Sequence, residues 1–135
     1  MIDRAAVTLG RFSLGLYFFV PGITKITSYQ AMLDYMTLHN IPMVELLLPL
    51  TTGLQIVGGL FLMAGFRIKE TAIMFAGMTL LINLGMHDFW NSYPETDQKH
   101  ELQNFVKNLG ILAGLLVLSA SQQVEQWRLF KPKLS

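Results

Sequence analysis

Residues 43–66 read MVELLLPLTTGLQIVGGLFLMAGF, a run whose only charge, Glu45, stands near its start. At 1.5 Å per residue a helix of this length reaches about 36 Å, enough to cross a hydrocarbon layer of about 30 Å. Its apolar residues fall on every face rather than on one stripe. Such a helix is enclosed by lipid or by a large core, and a chain of 135 residues is too short to build a large core.

The neighbours of this run extend the reading. Upstream, Ala5 to Ile23 is a first span, broken by Arg11 and closing in Pro21 and Gly22. Downstream, the charged turn Arg67 to Glu70 leads into a third span, Thr71 to Trp90, and a fourth runs from about Gln103 to Ala120. Four spans, about 5–23, 43–66, 71–90 and 103–120, in one domain over residues 1–135 are the economical account; three spans and one buried soluble helix are the alternative. Thr24 to Pro42 mixes Tyr29, Met32, Leu33, Tyr35 and Met36 with Lys25, Asp34, His39 and Asn40, a pattern that fits an amphipathic helix lying at the interface. The expected fold is therefore all-α, an integral-membrane four-helix bundle with a short interfacial helix between spans one and two.

Composition agrees. Hydrophobic residues make up 52% of the chain and charged ones 14%, about half the usual share, so the lipid bilayer is the first partner implied. A net charge of +1 without a basic run gives nucleic acid no surface. Cysteine is absent, which removes thiol-disulfide chemistry, iron-sulfur clusters and Cys-ligated zinc. The N-terminus lacks a small-x-small cleavage site after its apolar run.

Lysine and arginine set the expected orientation. Arg4, Arg67, Lys69, Arg128, Lys131 and Lys133 fall at one end; Lys25, Lys99 and Lys107 at the other. Cytoplasmic loops collect positive charge, so a bacterial inner-membrane, multi-pass protein with both termini cytoplasmic is expected.

Polar residues at the edges of the spans then acquire depths. His87 and Lys107 each stand about 5 to 6 Å below the outer surface, with Asn83 one turn deeper than His87, and Asn104 and Asn108 repeat that stacking on span four. Arg11, Gly15, Phe18, Gly22 and Lys25 form one stripe of the kind that faces a bundle interior. Gln55, about 18 Å below the outer surface, falls near the level of Arg11, about 9 Å from the inner one, and is the expected acceptor for that costly guanidinium. Together His87, Lys107, Asn108, Asn83, Lys25, Gln55 and Arg11 predict an outward-opening polar pocket.

Plainer structural readings stand beside these. Arg11 and Lys25 reach the surfaces by snorkelling, His87, Asp88 and Trp90 anchor the interface, and Asn83 and Asn108 hydrogen-bond across helices. Gly58, Gly59 and the Gly110-x-x-x-Gly114 pair allow close helix packing, and the methionines fill gaps. His39, His87 and His100 share no ligand spacing, so no metal site is assigned. Hydrolase triads and phosphate-binding glycine loops have no candidate, and no side chain receives a catalytic role.

RFSLGLYFFVPGITKI (11–26), LQIVGGLFLMAGF (54–66), HDFW (87–90) and ELQNFVKNLGILAGLLVL (101–118) together resemble the DoxX family of small four-span bacterial membrane proteins. The resemblance covers nearly the whole chain. It implies an association with quinone-coupled redox processes or with resistance to catechols, quinones and oxidative stress, and it marks Arg11, Lys25, Gly58, Gly59, His87, Lys107 and Asn108. One departure stands out: the family usually carries Glu before the span-two glycines, where this chain has Gln55.

Two function classes follow. In one, the chain is a quinone-linked subunit or enzyme whose pocket offers donors to the carbonyl oxygens of a quinone or other apolar aromatic ring. No side chain carries electrons, so these come from the substrate or from a partner subunit, with haem or flavin only where that partner supplies it. In the other it is a non-catalytic assembly factor or ligand-binding partner of a redox or stress-response complex, and its polar ladder fixes helix pairing. A homo-oligomer suits either class. A transporter finds little support in four spans without repeats or broken helices.

Overall fold

The computed structural model describes residues 1–93 and 97–129; residues 94–96 and 130–135, with Lys131 and Lys133 of the orientation argument among them, lie outside. The described residues form five helices, α1 (Ile2–Thr27), α2 (Tyr29–Leu38), α3 (Val44–Ala64), α4 (Ile68–Met86) and α5 (Gln98–Ala120). All but α2 are long and apolar enough to cross a membrane, and α2 is the short helix between the first and second spans. Large apolar side chains such as Leu9, Leu81 and Val117 point outward and stay exposed, as lipid-facing residues do.

Two close helix pairs make the bundle: α1 packs on α3, and α4 on α5. Glycine permits the first. A Cβ on Gly15 or Gly59 would stand 2.8 Å from the backbone oxygen of the other, so the two helices touch backbone to backbone. Gly58 makes room for the Phe75 ring, which stacks on Phe18 at 4.0 Å and 11°. Around that stack Leu62, Ile68, Ala72, Leu115 and Leu118 close an apolar core. Those residues lie toward the α3–α4 turn, where Gly65 (φ +82°) and Arg67 (φ +47°) reverse the chain within three residues.

Besides α1, which runs on through Pro21 to Thr27 rather than closing at Ile23, three boundaries and contacts differ from expectation. Helix α4 stops at Met86 rather than running to Trp90, because Phe89 N bonds the His87 carbonyl and Asn91 N the Asp88 carbonyl, turns that replace the helical ladder. Helix α5 begins at Gln98 rather than near Gln103, since the Asp97 side chain caps it by accepting from Lys99 N at 2.9 Å. Gly110 and Gly114 do not mediate close packing within the chain. A Cβ at Gly110 meets nothing within 4 Å, and one at Gly114 meets Leu14 only at 4.0 Å.

After α5, residues 121–129 fold back over the end that carries the N-terminus. Trp127 N donates to Thr8 Oγ1 at 3.0 Å, Leu129 N to the Ala64 carbonyl at 2.8 Å, and Arg4 lies over the Trp127 ring.

Candidate functional site

Toward the opposite end the two helix pairs part and α2 covers the gap. A cavity of about 320 Å³ results, with walls from all five helices. Phe18, Pro21, Ile82 and Met86 make it largely apolar, while Met32, Tyr35 and Met36 of α2 form its cover. Its polar groups are Lys25, Gln55, His87, Lys107 and Asn108, with the hydroxyls of Thr51 and Thr79 and the phenols of Tyr17 and Tyr35 beside them.

Each polar group has a local reason for its position. Lys25, one turn beyond Gly22, donates from Nζ to Gln55 Oε1, because bare Gly22 lets α3 approach at Gln55 and Ile56. Tyr17 O–H donates to Asn108 Oδ1 at 2.8 Å and ties α1 to α5. Lys107, one residue before Asn108, is exposed and holds its ammonium 5.9 Å from the centre of the Tyr17 ring. Among the described residues neither lysine has a carboxylate within ion-pair distance. The cavity is thus an apolar space between two uncompensated cations, an arrangement that an anionic or electron-rich oxygen would complete.

At the rim beside α2, the buried carboxylates Glu101 and Asp88 are each bonded to a histidine. Buried Glu101 accepts from the Tyr35 hydroxyl through Oε1 and from His87 Nδ1, at 2.9 Å, through Oε2. His39 is enclosed: its Nδ1 donates to Asp88 at 2.9 Å, and its ring lies 4.5 Å from that of Tyr35 and 4.4 Å from that of Tyr93. Burial, then the hydrogen bond to Glu101 and its charge, push the Tyr35 phenol well above its ordinary range, so it stays a donor. Burial would raise the Asp88 carboxyl, but hydrogen bonds from Asn91, Tyr93 and His39 prevail and hold it below the usual carboxylate value.

Of the seven residues singled out from the sequence, Lys25, Gln55, His87, Lys107 and Asn108 line the cavity, and Asn83 and Arg11 do not. Asn83 is buried in the α4–α5 contact, donating to the Phe105 carbonyl at 3.0 Å. The expected pairing of Arg11 with Gln55 does not form. Arg11 donates instead to Gln126 Oε1 and to the Trp127 carbonyl, each at 2.7 Å, while Gln55 serves Lys25. The reason is antiparallel register: Gly22 faces Gln55, Gly15 faces Gly59 and Met63, and Arg11 therefore comes level with Gly65. Along α1, Arg11 stands about 16 Å from Gly22, far beyond reach of Gln55. His87 and Lys107 are not at one level either. His87 meets Glu101, and Lys107 is six residues, about 9 Å, further along α5.

Glu101, Tyr35, Tyr17 and Gln126 escaped the sequence reading. Glu101 fell just before the expected start of span four near Gln103, although Asp97 ahead of a periodic apolar run signals a helix start and puts Glu101 in its first turn. Gln126 stands beyond the last span, and nothing local marks it as a partner for Arg11. Among the described residues no three His, Asp or Glu side chains gather as a metal site.

Comparison with known proteins decides the family. The DoxX family model matches residues 6–88, from α1 to the end of α4. The Escherichia coli (strain K12) inner membrane protein YqjF is 31% identical over 118 residues, 87% of this chain and 85% of its own length. The chain belongs to the DoxX family. No solved structure matches it. In this DoxX chain the family match ends at Asp88, so Glu101, Lys107 and Asn108, contributed by α5, lie beyond it. The DoxX glycines Gly58 and Gly59 have packing roles, and Arg11 belongs to the closed end, away from the cavity. Chemically, the cavity offers hydrogen-bond donors and positive charge to a ring oxygen, and His87 offers acid-base chemistry beside them.

Proposed function

We propose that this chain is a multi-pass inner-membrane protein that binds a small apolar ring bearing carbonyl or hydroxyl oxygens, of the quinone class, and serves a quinone-linked redox process. The observation that carries the reading is the pair of ammonium groups, Lys25 and Lys107, bordering an apolar cavity without a carboxylate partner. A cavity of about 320 Å³ is at the small end of ligand sites, which suits one ring system with its tail leaving toward lipid. Lys25, Lys107 and His87 stabilise the negative charge that develops on a ring oxygen during reduction. The electron pair comes from a partner subunit or from the substrate, since these side chains provide none. Similarity to an inner-membrane protein and the excess of Lys and Arg at the end holding the N-terminus support the location and an outward-facing cavity.

Gentle purification, with extraction and absorption spectroscopy of whatever remains attached, tests for a native ring ligand. Binding of a short-chain naphthoquinone to the protein in nanodiscs tests the site. Lys107→Met removes a charge that holds no structural hydrogen bond, so affinity is expected to fall about tenfold with an unchanged melting curve. Full affinity in that variant would refute the quinone site and favour the second class of function, a non-catalytic partner whose polar groups only join helices. Orientation has its own check: single cysteines at Ser92 and at Lys69, in a chain that has none, are expected to react with an impermeant reagent from opposite sides, Ser92 from outside.

A further inference from the structure

A second, wider hollow of about 710 Å³ lies on the outer side of Tyr35, bordered by Asp34, Asp97, His100, Glu101 and Asn104. Tyr35 lines both spaces and separates them. Glu101 lines only the outer hollow, and His87 only the inner cavity. Yet the two are hydrogen-bonded, Glu101 Oε2 to His87 Nδ1 at 2.9 Å. One carboxylate therefore touches the outer hollow with its rim and the cavity's histidine with its second oxygen. Tyr35 holds the other oxygen, Oε1, and so fixes the direction of the carboxylate.

We infer that Glu101 and His87 form a proton path between the outer hollow and the cavity. The inference rests on the ring-binding reading of that cavity. When a bound ring hydroxyl loses its proton, His87 Nε2 accepts it, and the Nδ1 proton passes to Glu101 Oε2. Glu101 then releases a proton to water in the hollow, and the ring oxygen remains as an anion beside Lys25 and Lys107. Reprotonation runs the same steps backwards, so a cycle of release and uptake restores the original imidazole tautomer without a ring flip. Protons balance at every step, and no electron passes through these groups. Tyr35 is a positioning residue and not a carrier, since its phenol keeps its proton. The other titratable groups facing Glu101 are Asp34 from α2 and Asp97 and His100 from the start of α5, with the Asp88–His39 pair behind Tyr35.

The test uses 4-nitrophenol, an apolar ring whose anion is coloured and whose hydroxyl titrates near neutral pH. Protein in nanodiscs is held in excess of the dye, the pH is jumped, and the colour change of the bound dye is followed on a time scale shorter than its dissociation. Glu101→Gln keeps the size of the side chain and one of its two acceptor oxygens, replaces the other with an amide N–H donor, and cannot ionise. It is expected to slow the bound-dye relaxation at least tenfold, with Glu101→Asp restoring most of the rate. A Glu101→Gln protein that binds dye and relaxes at the wild-type rate overturns the path while leaving the cavity reading intact. If wild-type protein binds neither dye nor naphthoquinone, the cavity reading fails and takes the path with it. Should Glu101→Gln fail to fold, Asn104→Trp, which fills the outer hollow away from the cavity, decides instead: slowed relaxation supports the path, and an unchanged rate overturns it.

Discussion

The two ends of this bundle treat positive charge in opposite ways. At the end carrying the N-terminus, buried Arg11 is given two carbonyl acceptors by the chain's own returning segment, Gln126 and Trp127. At the other end Lys25 finds only the neutral Gln55, and Lys107 leans over a tyrosine ring. A buried cation whose own chain supplies acceptors to two of its nitrogens, leaving only Nε unpartnered, is part of the fold, and removing a partner leaves an expensive charge. A cation beside an apolar cavity, with no carboxylate partner among the described residues, makes sense through what enters that cavity. The closed end is built for stability and the open end for binding, and this division can be tested by mutating matched positions in each.

The largest effect is expected at the closed end. Gln126→Leu strips one acceptor from the Arg11 guanidinium and should destabilise the protein by about 2 to 3 kcal/mol in detergent. Lys107→Met, at the open end, should remain within about 0.5 kcal/mol of the parent. Equal losses in the two variants would erase the distinction.

The helix contacts sharpen it further. Gly59→Ala places a Cβ 2.8 Å from the Gly15 oxygen and 2.8 Å from Phe19 Cβ, neither of which can retreat without moving α1. A loss of about 1 to 3 kcal/mol follows. Gly110→Ala meets nothing within 4 Å and should stabilise α5 by about 0.5 to 1 kcal/mol. A destabilised Gly110→Ala protein would mean that this face packs against a second copy, which a change in oligomeric state would reveal.

Gln55→Glu acts on the open end alone. The new carboxylate would meet Lys25, to which Gln55 is already bonded, and convert that contact into an ion pair. Stability should rise by up to about 1 kcal/mol. Affinity for an anionic ring should drop several-fold, because one of the two cations bordering the cavity is neutralised. A Glu at this position that stabilised the protein and strengthened anion binding together would contradict the roles given to Lys25 and Lys107.

Much of the fold was legible because lipid imposes simple rules. The Arg11, Gly15, Phe18 and Gly22 stripe is the buried face of α1, as its spacing demanded, and α2 takes its place between the first two spans. Depth was less legible. Counting residues from estimated span ends put Arg11 level with Gln55, whereas the glycine contacts set a register in which Arg11 meets Gly65. Pairings across long separations were hidden for a physical reason: Gln126 and Glu101 are ordinary polar residues locally, and only the turn after α5 and the early start of α5 bring them to Arg11 and His87. The cavity could be anticipated from its lysines and His87, but its cover, Tyr35, belongs to an amphipathic helix whose docking face the pattern did not specify.

The smallest effect separates the two ends by pH. Asp88 holds α2 to the loop after α4 through His39, and its carboxyl is kept below the ordinary value by donors that win over burial. An unfolded aspartate titrates near pH ~3.9. A lowered folded-state value means that the stabilisation is fully present above about pH 4 and is lost as pH falls through the folded value. Acid should therefore loosen the α2 cover first, while Arg11, bonded to an amide and a backbone carbonyl, has no titrating partner there. The chain's two tryptophans report the ends separately: Trp90 packs on Phe89 and Phe105 beside the loop, and Trp127 lies at the closed end. In a Trp127→Phe protein, Trp90 fluorescence should hold steady down to about pH 4 and change only as the pH falls further, and Tyr93→Phe, which deletes one donor to Asp88, should move that change to higher pH. In a Trp90→Phe protein that also carries Glu125→Gln, which removes the carboxylate paired with the Arg4 lying over Trp127, Trp127 should stay constant over the same range. Simultaneous changes in both reporters would mean that the two ends yield together and that the α2 cover has no stability of its own to lose.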